Sequence, residues 1–378
     1  MKRLENFWPT EPQTLLLQAA VAEKKTAEKA WREYCQKMDL QEIDPISGTF
    51  LPLIYDRFKD QPNHANSSEL NTCKSVYRHV WSQNLLLFFQ IKKTLEALQA
   101  AKISACLLKG AAMVAGYYKN PALRVMGDVD VLIPQQQVEK AIEVLSHLGW
   151  ALAYPPSDLK NYLEHKVEIL LVHPNGHQFD LHWYIFADST FDLVLKNFSY
   201  RTSDLYFDPF HMTVRVLSPE DQLLHTLMHG LKYDPTPLIR WVLDASWMIQ
   251  KTPDFDWAYF LKQIHYLNSD WKVKRAFEYL QEHHFAEIPE FVMSALSLHP
   301  PTRRQLKDFK LFSQPKKGLL YPIRRAWYLN KRSSVRQNFF ILLVTLPFSL
   351  KRNTCSSSWS EAFGFIWKKW RDQIQQTA

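Results

Sequence analysis

Cysteine is scarce in this sequence, and its spacing excludes two common kinds of small, cross-linked scaffold. Four cysteines stand far apart in 378 residues, without a C-x-x-C pair and without a histidine at zinc-finger spacing. Disulfide frameworks and structural zinc sites both need paired or clustered cysteines. We therefore expect neither, and a reducing cytoplasm is the compartment that this pattern favours. The four are Cys35, Cys73, Cys106 and Cys355.

Long apolar runs are missing as well. Met1–Leu17 mixes charged residues and prolines with its few apolar residues, so it lacks the continuous apolar segment of a signal peptide. The longest apolar stretch, Phe339–Leu350, has about twelve residues and contains Pro347, whereas a membrane-spanning helix needs roughly 20. The sequence predicts no secretion and no transmembrane helix.

Acidic residues are few at the C-terminal end. Residues 302–378 hold sixteen Lys and Arg but three acidic residues, a net charge of +13, which leaves the remainder of the chain at −5. Such asymmetry governs association, so the basic tail predicts peripheral contact with an anionic membrane or with nucleic acid. Aromatic residues among its cations also suit a membrane interface. A solvated basic face, or a helical hairpin packed on the protein body, is the alternative.

The pattern along the chain divides it into four predicted regions. Residues 1–101 have apolar residues at helical spacing and predict a helical module. Residues 102–216 mix strand-like and helical runs, and residues 217–300 return to helices. Residues 301–378 form the basic, aromatic-rich region. We find no internal repeat, and the expected fold class is α+β, with a small mixed sheet flanked by N- and C-terminal helical regions.

Short β-rich runs mark the central region. Ile103–Leu108 and Val129–Ile133 predict strands with a short helix between them, and Val138–Leu148 predicts a helix that stops at a glycine. Further on, the runs Val167–Val172 and His177–Trp183 flank an Asn-Gly pair, which is a strong hairpin signal. A second helical region is then predicted to begin at a capping Ser-Pro-Glu-Asp sequence at residues 218–221.

Two carboxylates in this central region carry the chemistry. Asp128 and Asp130 stand two residues apart on a predicted strand, so both side chains project from one face. Two like charges held that close repel each other unless a cation compensates them, and oxygen-rich sites favour hard cations such as Mg²⁺. A D-x-D pair alone is also compatible with an exposed or turn-capping role.

Two further features make the pattern more specific. Upstream, Lys109 and Gly110 lie at a strand-to-helix turn, where free amide groups, a glycine that permits close approach and a cation suit phosphate. Downstream, Asp180 lies on the second strand of the predicted hairpin, and His182 shares its face. Three features in this order indicate a phosphate-handling, metal-dependent site.

The central region resembles a known family. The sequences Leu107–Ala112, Asp128–Pro134 and Asp180–Trp183 are similar to the K-G, D-x-D and D-L-H-W signature of an uncharacterised bacterial nucleotidyltransferase family. That family belongs to the DNA polymerase beta-like nucleotidyltransferase superfamily. The resemblance extends weakly to Arg240–Asp244, so it covers about residues 103–244. Lys109-Gly110 stands where many superfamily members have Gly-Ser.

The resemblance implies a function and a set of roles. The chain would move a nucleoside monophosphate from a nucleoside triphosphate to a hydroxyl acceptor, with Mg²⁺ or Mn²⁺ held by Asp128, Asp130 and Asp180 in a two-metal mechanism. The phosphates would bind to nearby donor groups. The acceptor stays open: a small molecule, a saccharide, a protein or an RNA. The expected nucleotide-binding residues are Lys109, Gly110, Arg124 and His182.

Other interpretations compete with catalysis. The same fold could serve as a non-catalytic nucleotide- or nucleic-acid-binding module whose basic tail binds a membrane or polyanion. The presence of all three carboxylates favours the enzyme. His225 and His229 stand four apart on a predicted helix, but no glutamate follows in H-E-x-x-H fashion, so packing or lining of the acceptor cleft is favoured over zinc binding.

Overall fold

The structure is a computed structural model that describes residues 8–61, 67–186, 196–231, 238–303 and 305–306. These residues form an α+β fold in which helices precede and follow a seven-stranded mixed sheet. The predicted fold class is therefore confirmed. The basic tail, including Phe339–Leu350, lies outside the described residues. In the part of the chain that is described, no helix is long and apolar enough to cross a membrane.

The N-terminal region is helical, as the apolar spacing predicts. Its first helix begins with a capping box, in which the side chains and amides of Thr10 and Gln13 exchange hydrogen bonds. The longest helix has 33 residues and starts at a cap formed by Ser67. The helices are α1 (Glu11–Val21), α2 (Lys24–Lys37), α3 (Pro45–Gly48), α4 (Leu51–Phe58) and α5 (Ser68–Ala100).

The sheet has the strand order β3-β4-β5-β2-β1-β7-β6. β2 pairs in parallel with β5, and β1 pairs in parallel with β7, while the other neighbours are antiparallel. The strands are β1 (Cys106–Leu107), β2 (Asp128–Leu132), β3 (Ala151–Leu152), β4 (Glu168–Val172), β5 (Gln178–His182), β6 (Thr202–Phe207) and β7 (Met212–Leu217).

The hairpin predicted from Asn-Gly is confirmed as β4 and β5, and Gly176 in its turn has φ of 89°, a conformation that favours glycine. The first predicted strand is shorter than expected, since β1 has two residues. β6 and β7 were not predicted. β6 is mostly exposed and polar, which removes the alternation that marks a strand, although β7 does alternate.

Short helices connect the strands, and more helices follow the sheet. Lys109 opens a helical segment that continues as a π-helical turn at Val114–Tyr118. The predicted cap at Ser218 is confirmed, because its side chain accepts a hydrogen bond from the Asp221 amide. These helices are α6 (Lys109–Met113), α7 (Val138–Ser146), α8 (Leu159–His165), α9 (Pro219–Gly230), α10 (Trp241–Lys251), α11 (Trp257–Tyr266), α12 (Asp270–Glu282) and α13 (Glu290–Ser297).

Two apolar cores hold these elements together. One core joins the N-terminal helices to the helices that follow the sheet, with Trp31 and Phe58 in the same cluster as Leu224 and Val242. The other joins the sheet to α5 and α7. Burial of this kind stabilises by about 25 cal/mol per Å² of apolar surface, so helices distant in sequence become one packed support for the sheet. The cysteines at positions 35, 73 and 106 are free thiols.

Candidate functional site

The sheet brings two of the predicted carboxylates together. In the parallel pairing of β2 with β5, Asp130 lies directly opposite Asp180, and Asp128 lies opposite Gln178. Neighbouring strands are about 4.8 Å apart, so residues in register on one face are close neighbours. Alternation along β2 gives Asp128 and Asp130 a common face, and the register between β2 and β5 places Asp180 beside Asp130.

Ligand atoms of Asp130, Asp180 and His182 all lie within 4.8 Å of one another. We call these three residues the Asp–His cluster. Asp130 and His182 are buried, and Asp180 is partly exposed. Asp128 is outside this group of close atoms, but it lines the cavity next to it together with Asp130.

Two side chains, Lys109 and His182, hold the Asp130 carboxylate in place. Lys109 Nζ lies 2.5 Å and His182 Nε2 lies 2.9 Å from the same oxygen, Oδ1. Burial would raise the pKa of Asp130, but the hydrogen bond with His182 and the charge of Lys109 hold that pKa well below its usual range. Asp130 is therefore a fixed anion, and its second oxygen is available to a ligand.

Lys109 reaches Asp130 from an unusual backbone conformation. Its φ is 45°, in the left-handed region that non-glycine residues rarely adopt, at a cost of order 1 kcal/mol. The preceding amide, of Leu108, donates to the Asp130 carbonyl oxygen at 2.9 Å. Burial would lower the pKa of Lys109, but the neighbouring Asp130 carboxylate raises it. The strained turn thus fixes a cation against the cluster.

His182 connects the cluster to a fourth acid. Its Nδ1 lies 3.2 Å from a carboxylate oxygen of Glu168 on β4, while Nε2 faces Asp130. In this arrangement His182 orients Asp130, and each ring nitrogen faces a carboxylate.

Asp180 has no such partner. None of the described residues donates a hydrogen bond to its carboxylate, and burial, with Asp130 and Glu168 nearby, raises the pKa of Asp180 to about 6. Burial and the charge of Asp130 also raise the pKa of Asp128. Carboxylates crowded together without donors are what a hard divalent cation compensates, so the donor set fits Mg²⁺ or Mn²⁺.

A cavity of about 250 Å³ adjoins the carboxylates, and we call it the central cavity. Arg124 lines it and is held from behind by Asp244, with hydrogen bonds of 3.2 Å from Nε and 2.9 Å from NH2. The Tyr118 hydroxyl donates to the same carboxylate at 2.7 Å. Arg124 is thus a preorganised fork, since its NH1 remains on the cavity side without a hydrogen-bond partner among the described residues.

Gly110 faces that arginine. A Cβ at Gly110 would lie 2.6 Å from Arg124 NH1, closer than real contacts allow. Asp244 holds the guanidinium in place, so Arg124 cannot easily yield. The glycine therefore has a steric reason at this position, beyond the close phosphate approach that the sequence predicts.

Arg240 adds a second guanidinium to the cavity wall. Its NH1 donates to the Val125 carbonyl oxygen at 3.3 Å, while the nearby carboxylate of Asp244 is bonded to Arg124. Burial and the charge of Arg124 lower the pKa of Arg240 to about 10, so it stays cationic at neutral pH. Three cations, Lys109, Arg124 and Arg240, therefore line one small cavity.

The two histidines of α9 also line the central cavity. His225 is buried, and its Nδ1 has no hydrogen-bond partner among the described residues. Burial, and then the neighbouring His229, hold the pKa of His225 well below its usual value. The sequence predicts packing or lining of the acceptor cleft for this pair, and the choice between these two roles stays a prediction.

The sequence interpretation missed three residues that support the site: Glu168, Arg240 and Asp244. The signals were faint. Glu168 is the single acidic residue of an otherwise apolar strand and belongs to no motif, and Arg240 and Asp244 lie in a stretch that resembles the family without a role attached to either. The ion-pair partner of Asp244 is Arg124, which is distant in sequence, so no local pattern predicts the pair.

Comparison with known proteins agrees with the signature. Residues 48–284 match the family described as uncharacterised nucleotidyltransferase, and the chain belongs to that family. The family expected from the Lys-Gly, D-x-D and D-L-H-W residues is confirmed. The comparison with curated proteins gives no match. Among solved structures, the antibiotic-resistance factor ANT(2'')-Ia is similar, with 13% identity and a TM-score of 0.35 over 53% of this chain and 99% of that chain.

Proposed function

We propose that the chain is a metal-dependent nucleotidyltransferase that moves a nucleoside monophosphate from a nucleoside triphosphate to a hydroxyl acceptor. Family membership supports the reaction class. The observation that carries the proposal is the Asp–His cluster: two carboxylates and an imidazole within 4.8 Å, beside a cavity lined by cations.

Asp128, Asp130 and Asp180 are the proposed ligands of Mg²⁺ or Mn²⁺. When bound, a pair of such cations neutralises triphosphate charge and lowers the pKa of an acceptor hydroxyl. Asp130 contributes the oxygen that Lys109 and His182 leave unoccupied, and His182 keeps its carboxylate oriented. Asp180, without a donor of its own among the described residues, would be a further ligand of the cation.

The cationic wall of the central cavity is the proposed phosphate site. Lys109, Gly110 and Arg124 come from the sequence prediction, and Arg240 joins them. Arg124 NH1 has no hydrogen-bond partner among the described residues. Donors fixed in advance suit phosphoryl chemistry, in which positioning and charge neutralisation dominate. His182 serves this site through Asp130, because both of its nitrogens already face carboxylates.

The reaction follows from these roles. The acceptor oxygen forms a bond with the α-phosphorus of the nucleotide, and the bond between that phosphorus and the bridging oxygen breaks. Pyrophosphate leaves with the electron pair, and the acceptor hydroxyl gives its proton to solvent water. The basic tail is proposed to act in localisation or partner choice, by peripheral contact with an anionic membrane or nucleic acid.

Nucleotide transfer in cell lysate tests the proposal. Each of the four labelled nucleoside triphosphates is incubated with the full chain and Mg²⁺ or Mn²⁺, and labelled products are compared for wild type and Asp130→Ala. Asp204→Asn, an exposed carboxylate on β6, is the matched control. We expect label transfer by wild type and the control, and none by Asp130→Ala. Nucleotide binding without transfer under all conditions would favour the non-catalytic alternative.

A further inference from the structure

A second and larger concavity lies beside the carboxylates. It has a volume of about 760 Å³ and runs between α5 and the β4–β5 hairpin. We call it the α5 groove. One wall is a face of α5 at helical spacing, and the other is the hairpin turn at residues 175–177. The α5 face includes His79, Gln83, Phe89, Gln90 and Lys93.

The α5 groove meets the central cavity at one short segment. Residues 125–127 line both spaces, and Gly127 directly precedes Asp128. A Cβ at Gly127 would meet no atom within 4 Å, so the segment leaves open space at this point. A group bound in the groove therefore approaches the catalytic carboxylates across a single glycine.

The volumes of the central cavity and the α5 groove suit different substrates. Small-molecule sites usually occupy about 300–1,000 Å³. The central cavity, at about 250 Å³, falls below that range and cannot hold both substrates of a transferase. The α5 groove falls within the range. If the cationic cavity takes the phosphates, the groove is the larger adjoining space among the described residues and has room for the acceptor.

The side chains of the groove indicate the acceptor's chemistry. Gln83 and Gln90 are amides, which both donate and accept hydrogen bonds and so match hydroxyl groups. The Asn175 amide lines the same groove, but both its oxygen and its nitrogen are bonded to His177. Phe89 is 59% exposed, and its ring offers an apolar face to the carbon side of a sugar ring. An exposed aromatic among amides is a recognisable combination for a polyhydroxylated ligand.

The charges of the side chains that line the α5 groove restrict the acceptor's own charge. Lys93 is exposed, and none of the described residues that line the groove is acidic. A polycationic acceptor would meet Lys93 without a compensating carboxylate among the described lining residues. A neutral or anionic acceptor meets no such repulsion.

We propose that the α5 groove binds the acceptor, and that the acceptor is a neutral or anionic saccharide whose hydroxyl reaches the carboxylates past Gly127. This inference rests on the proposed nucleotidyltransferase function and names the substrate class of the same site. The amides of Gln83 and Gln90 hold ring hydroxyls, Phe89 stacks on the ring, and Lys93 binds an anionic substituent where one is present.

Saturation-transfer NMR on the full chain tests the assignment without relying on turnover. The probes are methyl β-glucoside, glucuronate and glucose 6-phosphate, with cationic glucosamine and a short oligoribonucleotide as comparators. The variants are Phe89→Ala and Gln90→Leu. Trp81→Ala is the matched control, since Trp81 is 48% exposed on the same helix but does not line the groove. Mg²⁺–nucleotide binding is measured in the same samples.

We expect the neutral and anionic sugars to bind wild type and Trp81→Ala, and to bind each groove variant at least tenfold more weakly, with nucleotide affinity unchanged in all four proteins. Lys93→Ala should weaken the two anionic sugars and spare the glucoside. Nucleotide binding without binding of any of the three sugars overturns the acceptor assignment and leaves the proposed function standing. Preference for glucosamine, or oligoribonucleotide binding that depends on Phe89, also overturns it. Failure of wild type to bind nucleotide contradicts the proposed function itself.

Discussion

Asp130 and Asp180 occupy the same rung of the parallel pairing between β2 and β5, although fifty residues separate them in the chain. The two carboxylates are treated differently by their surroundings. Lys109 and His182 keep the pKa of Asp130 low, whereas no described residue donates to Asp180, and burial raises its pKa to about 6. The pair therefore combines one fixed anion with one carboxylate that a cation must stabilise.

This difference predicts how stability depends on pH in the metal-free protein. A folded-state pKa above the unfolded value contributes stability that is fully present below about pH 4 and is lost as pH rises through about 6. At pH 7 the Asp180 charge is therefore unfavourable, and Asp180→Asn should raise the free energy of unfolding by about 1 to 3 kcal/mol. Urea denaturation at pH 7 and at pH 4 measures the effect, which should shrink at the lower pH.

Mg²⁺ supplies the control for that experiment. Because the cation binds the ionised carboxylate, it should raise the melting temperature of wild type at pH 7 more than that of Asp180→Asn. A variant that is less stable than wild type at pH 7 without metal would show that Asp180 already has a favourable partner. The same result would argue against its role as a metal ligand.

The ion pair between Lys109 and Asp130 predicts strong coupling between two substitutions. Removing one partner leaves the other charge buried and uncompensated, so Asp130→Asn alone should destabilise by about 3 kcal/mol or more. Adding Lys109→Met should recover part of that loss. A double-mutant cycle by chemical denaturation measures the coupling. Additive effects would indicate that the two side chains do not interact in the folded protein.

The sequence predicted the parts of this site whose signal is local. Alternation on β2 predicts a shared face for Asp128 and Asp130, and the Asn-Gly turn places Asp180 on a strand. The sequence could not predict the register that sets Asp180 opposite Asp130. Parallel strands are not joined by a short turn, so no local signal fixes how β2 and β5 align. Nor could the sequence supply the Arg124–Asp244 pair, which depends on how α10 packs against the sheet region. The catalytic carboxylates could be predicted from the sequence, but the carboxylate that binds the Arg124 guanidinium could not.

Gly110 provides a steric prediction about Arg124. An added methyl group at this position would contact Arg124 NH1, which Asp244 holds in place. Gly110→Ala should therefore weaken Mg²⁺–nucleotide binding about tenfold, equivalent to about 1.4 kcal/mol, through displacement of the guanidinium. Calorimetric titration measures it. Gly48→Ala, where the nearest atom lies 3.8 Å from the added Cβ, is the control and should bind nucleotide as wild type does.

The basic tail predicts salt-sensitive association. Exposed charges are screened beyond about 8 Å at physiological ionic strength, so binding through the net charge of +13 should weaken as salt rises. Liposome and RNA co-sedimentation of the full chain is compared with a chain ending at His299, after nucleotide binding by both has been checked. If the two proteins sediment equally, the tail does not contribute to binding of liposomes or RNA. Loss of nucleotide binding on truncation would instead make the tail part of the fold.

Arg240 gives a prediction in which stability and binding move apart. Its charge sits beside Arg124, and the nearby carboxylate is already bonded to that arginine, so Arg240 contributes repulsion to the free protein. An anion in the central cavity would turn that repulsion into attraction. Arg240→Gln should therefore leave the free energy of unfolding unchanged or raise it, while lowering affinity for Mg²⁺–nucleotide.

The expected loss of affinity is about tenfold to a hundredfold, since a charge-assisted hydrogen bond contributes about 1.5 to 3 kcal/mol. Inorganic tripolyphosphate separates phosphate binding from base recognition, and it should stabilise wild type against heat more than it stabilises Arg240→Gln. Arg32→Gln, at an exposed position on α2, controls for the loss of a positive charge. A structural role for Arg240 would produce the opposite pattern, with lower stability and unchanged affinity in whatever fraction remains folded. Two measurements on one variant therefore decide whether this guanidinium supports the fold or binds the phosphates.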